Sequence, residues 1–317
     1  MAPTEEKNDR MKARRTVAAA LSVLALTAVA ACGKDGSPNS DSAGTKGGSA
    51  APQLPTYQVN ADAKLDGSPT WVEAKKNGKL RIGAKSDQPF LGFEDVQTGK
   101  RNGFDIEIAK MIAADLGFSA DQIQFTTINS SARETSLAGG QVDYYVGTYS
   151  INDNRKKTID FAGPYYIAGQ SLLVNKDNTD ITSAETTKDK AVCTVTGSTS
   201  VANIQKYGAK VTQFESYSLC VEKLLTKEVD AVTTDDAILK GYAAKNQGQL
   251  KVVGATFSQE RYGVGLKKGD AVLQKAINDA LKKHEDNGDW KKAYDATLGL
   301  SGAEAPSVPA LDPTTAS

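Results

Sequence analysis

Apolar residues along the middle of the chain follow two alternating spacings, one typical of strands and one typical of helices. Residues 79–84 form a short apolar run of the kind found in buried strands, and a loop is expected at 86–89. Within 105–116, apolar side chains recur at the spacing of one helix face, and Gly117 follows where a helix commonly ends. The same criteria predict a helix at 132–138 and strands at 123–127, 142–146 and 172–174.

The second half of the chain repeats this alternation. Strands are predicted at 190–194, 210–214, 230–233, 250–253 and 261–266, and helices at 200–207, 217–226, 237–245 and within 270–298. Alternating strands and helices indicate an α/β fold with a mostly parallel sheet. Ligands of such folds bind beyond the carboxyl ends of strands, so residues that follow the predicted strands are the candidates for chemistry.

The N-terminus has the pattern of an export signal. A basic cluster precedes a largely apolar run of 15 residues that ends in small side chains before Cys32. A helix that crosses a bilayer needs about 20 apolar residues, so the run is typical of a signal peptide, predicted for residues 1–31. Met11 offers a cleaner basic start than Met1, and either could be the initiator.

The signal ends in Val-Ala-Ala-Cys32, which resembles a bacterial lipobox, where a diacylglycerol is attached to the cysteine and cleavage leaves it as the N-terminus. Several acyl chains on one residue hold a protein on a membrane. Residues 32–56 are rich in Gly, Ser and Pro and are predicted to form a flexible tether after this anchor. The alternative is a soluble secreted protein. Residues 301–317 have a similar composition and are predicted to be disordered.

Composition narrows the function classes. After residues 1–31, the chain carries 33 basic and 35 acidic residues, a balance of −2 with both signs interspersed, so no nucleic-acid partner is expected. His284 is the only histidine, which argues against a Ser-His-Asp triad or a histidine metal cluster. Phosphate-binding glycine motifs are also missing from the sequence. No metal, no cofactor and no catalytic residue are therefore predicted.

Three polar segments follow predicted strands or open helices. Arg155, shortly after the strand 142–146, could grip a carboxylate with two charge-assisted hydrogen bonds, or could belong to a solvated charged surface. Asp235 follows the strand 230–233 and could hold an ammonium group or cap the next helix. Residues 197–200 open a helix and could bind an anion or simply cap it.

Two cysteines, Cys193 and Cys220, lie in the second half of a chain that carries an export signal. Exported proteins encounter oxidising conditions, so a disulfide between them is predicted. The alternative is a pair of buried thiols that do not meet.

Taken together, the segments resemble family 3 solute-binding proteins of polar amino-acid importers, over about residues 79–298. The resemblance is carried by six ordered motifs: Asn102-Gly-Phe-Asp105, Arg133 through Asp143, Thr148 through Arg155, Asp160-Phe-Ala-Gly-Pro-Tyr165, Gly197-Ser-Thr199 and Asp230 through Asp235. It implies a periplasmic-binding-protein-like fold of type II, in which two α/β lobes are joined by two crossing strands with the ligand between them. No catalytic role is implied.

The resemblance also implies how the chain divides between the lobes. The crossings are expected near 171–175 and 262–266. Lobe 1 would then comprise 57–175 and 262–300, and lobe 2 would comprise 176–261. The disulfide would lie wholly in lobe 2.

Family motifs imply roles for six residues when carried over position by position. Arg155 and Ser150 would bind the α-carboxylate of an amino acid. Thr148, through its backbone carbonyl, and Asp235, through its charge, would bind the α-ammonium group. The alternative is that Asp235 and Asp236 exchange roles. Thr199 would join from the second lobe, and Phe90 would pack against the aliphatic part of the ligand.

Specificity depends on two further cations. Lys85 and Arg133 lie in segments that look like those of actinobacterial glutamate-binding lipoproteins, and either could meet a side-chain carboxylate. If both are surface charges, the pocket would instead take glutamine or asparagine.

The resulting hypothesis is a monomeric lipoprotein, anchored to the extracytoplasmic face of the cell membrane, that captures glutamate or aspartate and delivers it to an ABC permease. Two alternatives remain: a sensor lipoprotein that signals to a membrane partner, and a dehydratase-like enzyme on the same scaffold.

Overall fold

The computed structural model describes residues 53–312, which lie within one compact unit. The predictions for the signal peptide, for Cys32 and for most of the tether lie outside the described residues. Within 53–312, no helix has both the length and the apolar character needed to cross a membrane.

Helices and strands alternate along the described chain. The helices are α1 (Pro69–Asn77), α2 (Phe104–Asp115), α3 (Arg133–Ala138), α4 (Asp153–Lys156), α5 (Thr199–Gln205), α6 (Tyr217–Leu225), α7 (Asp236–Lys245), α8 (Ala271–Asp286) and α9 (Asp289–Ala296). The strands are β1 (Leu80–Ala84), β2 (Asp87–Gln88), β3 (Gly92–Glu94), β4 (Arg101–Asn102), β5 (Ile123–Thr127), β6 (Tyr144–Tyr145), β7 (Ile159–Ala168), β8 (Gln170–Asn175), β9 (Ala191–Val195), β10 (Lys210–Phe214), β11 (Ala231–Asp235), β12 (Leu250–Val253) and β13 (Glu260–Lys267). This is the α/β alternation predicted from the sequence.

The first lobe is built on a five-stranded sheet in the order β5-β1-β6-β13-β7. Strands β5, β1 and β6 are parallel, and β13 runs antiparallel to both of its neighbours. Helix α2 packs its apolar face onto this sheet, and the ring of Phe104 contacts those of Trp290 and Tyr294 at 5.3 and 5.6 Å between centroids. Strands β2, β3 and β4 form a small separate sheet beside it.

The second lobe is built on a five-stranded sheet in the order β10-β9-β11-β8-β12. Strands β9, β10 and β11 are parallel, so their carboxyl ends point the same way. Cys193 in β9 and Cys220 in α6 form the predicted disulfide, with 5.5 Å between their Cα atoms. The bridge lies wholly in this lobe and fastens α6 to the centre of the sheet.

The chain changes lobes at positions that differ from the predicted crossings. It leaves the first sheet at Ala168 and enters the second at Gln170, and it returns between β12 and β13, at 254–259. Residues 171–175 already belong to β8, and residues 262–266 already belong to β13. Both segments are apolar because each is an interior strand of one sheet, flanked on both sides.

The C-terminal segment up to residue 312 packs on the first lobe, whereas disorder was predicted from 301 onwards. The hydroxyl of Tyr294 donates to the carbonyl of Glu304 at 2.8 Å, and Arg261 forms an ion pair of 3.0 Å with Asp312. Composition misled here because the segment is held by polar contacts and by a few small apolar side chains rather than by an apolar face. Residues 313–317 lie outside the described part of the chain.

The disulfide should contribute measurably to stability. Replacing Cys193 and Cys220 together by alanine should lower the free energy of unfolding by about 3 kcal/mol, because the bridge closes a loop of 27 residues. Urea denaturation of the chain lacking residues 1–32 measures this, and reductant should bring the wild type to the level of the variant. A reductant-insensitive wild type would contradict the contribution of the bridge.

Candidate ligand-binding site

A small cavity of about 10 Å³ lies between the two lobes, which pack closely around it. It sits beyond the carboxyl ends of β5, β6, β9, β10 and β11, where an open α/β sheet binds its ligand. It is lined almost entirely by polar side chains: Ser130, Arg133, Thr148, Ser150, Arg155, Ser198, Thr199, Tyr217, Thr234, Asp235 and Ile238.

The structure brings most of the predicted site residues together at this cavity. Six of them line it directly: Arg133, Thr148, Ser150, Arg155, Thr199 and Asp235. Lys85 does not line the cavity but is hydrogen-bonded to a residue that does, since its Nζ donates to the Oγ of Ser130 at 2.8 Å. Phe90 is not among the lining residues, and its backbone has a φ of 66° in the left-handed region.

Arg155 is held by contacts from both lobes. Arg155 lies in the short helix α4, and the side chain of Asn152, directly before this helix, caps it by accepting the Arg155 N–H. The guanidinium donates to Glu134 Oε1 at 3.1 Å, to the Ser150 carbonyl at 2.7 Å and to the Gly197 carbonyl of the second lobe at 3.0 Å. Burial, reinforced by the charge of Arg133, lowers its pKa to about 10, so Arg155 is still a cation at neutral pH.

Arg133 and Lys85 are buried basic side chains, and neither forms an ion pair with a carboxylate within residues 53–312, although Asp87 and Glu215 lie near enough to act on the charge of Lys85. Arg133 is 2% exposed, donates to the carbonyls of Ser130 and Gly197 at 3.1 and 3.2 Å, and lies 4.1 Å above the ring of Tyr149. Lys85 is 4% exposed, and burial, together with the charge of Arg133, lowers its pKa to about 7. A buried charge that lacks an ion-pair partner is costly. The cavity therefore favours an anionic group beside these two side chains.

Asp235 supplies the opposite charge from the second lobe. Its Oδ2 accepts a hydrogen bond of 2.7 Å from the Tyr262 hydroxyl, while its Oδ1 is buried and has no partner among the described residues. Burial, and next the charge of Glu260, raise the pKa of Asp235 to about 7. The side chain makes no capping bond to α7, so capping does not account for it.

The neighbouring Asp236 is engaged elsewhere. Its carboxylate accepts from the Gly169 N–H at 3.2 Å and from Lys240 at 2.6 Å, and it does not line the cavity. Between the two adjacent aspartates, the geometry offers only Asp235 to a ligand.

Thr148 occupies a strained backbone position at the cavity wall. Its φ of 47° lies in the left-handed region, which is rare for a β-branched residue. The buried carboxylate of Asp105 holds this conformation by accepting the Thr148 N–H at 3.0 Å, and it also accepts the Tyr165 hydroxyl at 2.8 Å. Such strain persists only where surrounding contacts enforce it. Sequence reasoning placed Asp105 at a helix start and missed this supporting role.

Five lining residues are not among the predicted site residues: Ser130, Ser198, Tyr217, Thr234 and Ile238, although Ser198 lies in the segment 197–200 that was predicted to bind an anion or cap a helix. Three of them form a chain of hydrogen bonds, from the Thr234 hydroxyl to Tyr217 at 2.7 Å and from Tyr217 to Ser198 at 3.0 Å. The position of Thr234, directly before Asp235 at a strand end, was the available signal. No such signal was present for Tyr217, because aromatic residues at the start of a helix usually belong to the core.

The lobes are closed around the cavity. The carbonyl of Gly197 accepts hydrogen bonds from the guanidinium groups of Arg133 and Arg155, which belong to the opposite lobe. Gly197 has a φ of 80°, and a Cβ at this position would lie 2.8 Å from the Cα of Ser131. Only glycine permits so close an approach of two backbones.

Residues 80–299 match the family described as bacterial extracellular solute-binding proteins, family 3, and the chain belongs to this family. The predicted family is thereby confirmed. Among its relatives is the ABC transporter glutamine-binding protein GlnH of Bacillus subtilis, 35% identical over 288 residues that cover 90% of this chain and 97% of the relative. The glutamate-binding protein GluB of Corynebacterium efficiens is 35% identical over 253 residues, covering 76% and 86% of the two chains.

Solved structures of similar proteins confirm the predicted two-lobed α/β fold. An ancestral arginine-binding protein bound to glutamine is 37% identical with a TM-score of 0.66, over 70% of this chain and 98% of that one. An ancestral amino acid-binding protein, a precursor of cyclohexadienyl dehydratase, is 32% identical with a TM-score of 0.66, over 72% and 99%. Both of the named relatives, GlnH and GluB, are amino-acid-binding proteins by name.

The contact between Asp105 and Thr148 can be tested by an isosteric change. Asp105→Asn should lower the free energy of unfolding by roughly 1–3 kcal/mol, because an amide cannot accept both buried donors. Tyr165→Phe is the matched control, since it removes one donor and leaves the Thr148 bond intact. Chemical denaturation measures both, and a smaller loss for Asp105→Asn than for Tyr165→Phe would contradict the supporting role.

Proposed function

We propose that this chain is the extracytoplasmic substrate-binding lipoprotein of an amino-acid ABC importer, and that its ligand is glutamate or aspartate. Closure of the two lobes captures the ligand, and the closed form presents it to a membrane permease. The observation that carries the choice of ligand is the presence of two buried basic side chains, Lys85 and Arg133, that form no ion pair with a carboxylate within residues 53–312.

The charges of the cavity suit an acidic amino acid. A free amino acid is a zwitterion, and each of its charges needs a partner once it leaves water. Arg155 and Ser150 would hold the α-carboxylate, while Asp235, the Thr148 carbonyl and Thr199 would hold the α-ammonium group. Lys85 and Arg133 would then meet the side-chain carboxylate of glutamate or aspartate. An amide ligand would leave these two side chains without an ion-pair partner.

The relatives support amino-acid binding but differ in ligand. Names of similar proteins include glutamate-binding and glutamine-binding proteins at 35% identity. Glutamine or asparagine is therefore the alternative ligand, with the transport role unchanged. The polar cavity is compatible with both, and the buried cations favour the acid.

A transport protein and a sensor would differ in their membrane partner, which binds outside the cleft. An enzyme would differ from both in the chemistry that it performs on the ligand. A sensor would use the same ligand contacts with a different membrane partner. A dehydratase-like enzyme would release a product from its ligand, which incubation with candidate substrates tests. His284, the only histidine of the sequence, contacts Asp289 in the first lobe and does not line the cavity. Anchoring through Cys32 would keep the protein near its permease.

Ligand identity can be decided by calorimetric titration of the chain lacking residues 1–32 with glutamate, aspartate, glutamine and asparagine. The wild type should bind an acidic amino acid more tightly than its amide. Lys85→Met should weaken glutamate binding by roughly tenfold or more, because a charge-assisted hydrogen bond contributes about 1.5–3 kcal/mol. The same variant should leave glutamine binding nearly unchanged. Equal losses for both ligands would argue against a side-chain carboxylate beside Lys85.

The proposed roles of Arg155 and Asp235 in holding the α-carboxylate and α-ammonium groups can be tested by substitution, with neighbouring residues as controls. Arg155→Ala and Asp235→Asn should each abolish detectable binding, whereas Lys157→Ala and Asp236→Asn should retain it. Lys157 is exposed and Asp236 does not line the cavity. Tight binding by Asp235→Asn together with loss in Asp236→Asn would show that the two aspartates exchange roles.

The raised pKa of Asp235 predicts a pH dependence. An aspartate ordinarily titrates near 3.8, but burial and Glu260 raise the pKa of Asp235 to about 7 in the closed cleft without ligand. The closed form therefore favours the protonated carboxyl, and its stability falls as the pH rises from about 4 to about 7. Thermal denaturation of the ligand-free chain should show this fall. Asp235→Asn should make it shallower, and Asp105 and Glu285 should retain part of it because burial raises the pKa of each to about 7 as well. An identical profile in the variant would rule out the assignment.

A further inference from the structure

Helix α7 has a face that contacts the first lobe outside the ligand cavity. Gly241, Tyr242 and Lys245 share this closing face, at helical spacings of three and four residues. The Tyr242 hydroxyl donates to the backbone carbonyl of Asp87 at 2.5 Å, and Lys245 Nζ lies 3.9 Å from the ring centre of Phe93. These contacts join the second lobe to the β2–β3 segment of the first.

Gly241 is the point of closest approach on this face. A Cβ built on Gly241 would lie 2.4 Å from the backbone carbonyl oxygen of Pro89. Contacts below 3.0 Å are essentially never seen for a real Cβ, and a backbone carbonyl cannot rotate aside as a long side chain can. The position is helical without a positive φ, so alanine suits its backbone and only the opposite lobe excludes it.

Asp87 adds a polar contact beside this point. Its Oδ2 accepts the backbone N–H of Ser218, in the first turn of α6, at 3.1 Å. A carboxylate there also complements the positive end of the helix dipole. Because Asp87 belongs to the first lobe and Ser218 to the second, this bond is available only while the lobes are together.

We propose that Gly241 is a positioning residue for ligand capture: its missing side chain lets α7 seat against Pro89, and this contact sets how far the cleft can close. The inference rests on the proposed function, in which closure captures an amino acid. Gly241 touches no ligand, since it does not line the cavity. Its effect on affinity acts through the fraction of molecules that can close.

The test is Gly241→Ala, with Lys240→Ala as the matched control on the same helix. Lys240 forms an ion pair with Asp236 and makes no contact with the first lobe among its described hydrogen bonds. The extra methyl should hold the lobes apart and weaken binding of the tightest amino-acid ligand by roughly tenfold or more. The melting temperature of the ligand-free variant should stay level or rise, because alanine favours a helix over glycine. Lys240→Ala should bind like the wild type.

Two results would overturn the inference. One is wild-type affinity in Gly241→Ala. The other is a ligand-free melting temperature that falls together with the affinity, since that would make the contact permanent packing rather than a feature of closure.

A second readout separates this inference from the ligand assignment. Asp87→Cys combined with Ser218→Cys places two thiols across the closing contact, and a short bifunctional thiol reagent then reports closure without any ligand. Adding Gly241→Ala should slow cross-linking by roughly fivefold or more. If the wild type binds none of the amino acids tested, the proposed function fails and the cross-linking rate alone decides the role of Gly241. An unchanged rate would refute that role.

Discussion

Neutralisation of buried charge is the constraint on which the cleft depends. The first lobe contributes Lys85, Arg133 and Arg155 to a nearly closed space. The second lobe contributes Asp235, one of whose carboxylate oxygens has no hydrogen-bond partner within residues 53–312. Arg155 pairs with Glu134, whereas backbone carbonyls, above all that of Gly197, compensate Arg133 only in part, because a carbonyl carries a dipole and not a full charge. The closed form is therefore electrostatically incomplete by itself, and a ligand with charges of both signs completes it.

The remaining architecture keeps these charges at fixed positions. Asp105 and Tyr165, within the core of the first lobe, hold Thr148 in a conformation that a threonine rarely adopts. The disulfide fastens α6, and hence Tyr217, to the sheet of the second lobe. Rigid supports of this kind reduce the entropy that binding must remove from the protein, so more of the interaction energy appears as affinity.

Much of the fold could be predicted because the periodic segments are long and their boundaries are marked. The helix expected at 105–116 is α2, Phe104–Asp115, and the strand expected at 210–214 is β10. Short or irregular elements carried less signal. Strand β7 was missed because Pro164 interrupts its pattern, and α4 spans only four residues, too few for a helical period to be recognised. Periodicity also cannot tell where an apolar strand passes from one sheet to another, which displaced the predicted crossings.

The cavity could be predicted in outline because parallel strands direct the residues that follow them to a common edge. Arg155 and Asp235 were found by this rule combined with family motifs. Residues that act through tertiary contacts escaped it. The supporting bond of Asp105 joins residues 43 positions apart, and Phe90 was assigned to the ligand although its ring does not line the cavity. A sequence motif gives the residue type at a position. Whether that residue contacts a ligand depends on how the surfaces of the two lobes pack against each other.

The nested arrangement of the lobes has a consequence for the order in which the molecule can assemble. All five strands of the second sheet lie between residues 170 and 253, and the two ends of that stretch meet where Phe257 N–H bonds the Gln170 carbonyl at 2.9 Å. The first sheet, by contrast, needs β13 to attach β7, since β7 pairs only with β13. During synthesis from the N-terminus, the second lobe can complete its sheet before residues 260–267, which the first sheet requires, have been synthesised. Strand β13 completes the first sheet and also contains Tyr262, whose hydroxyl donates to the carboxylate of Asp235. The strand that is synthesised last therefore connects the two lobes at the site.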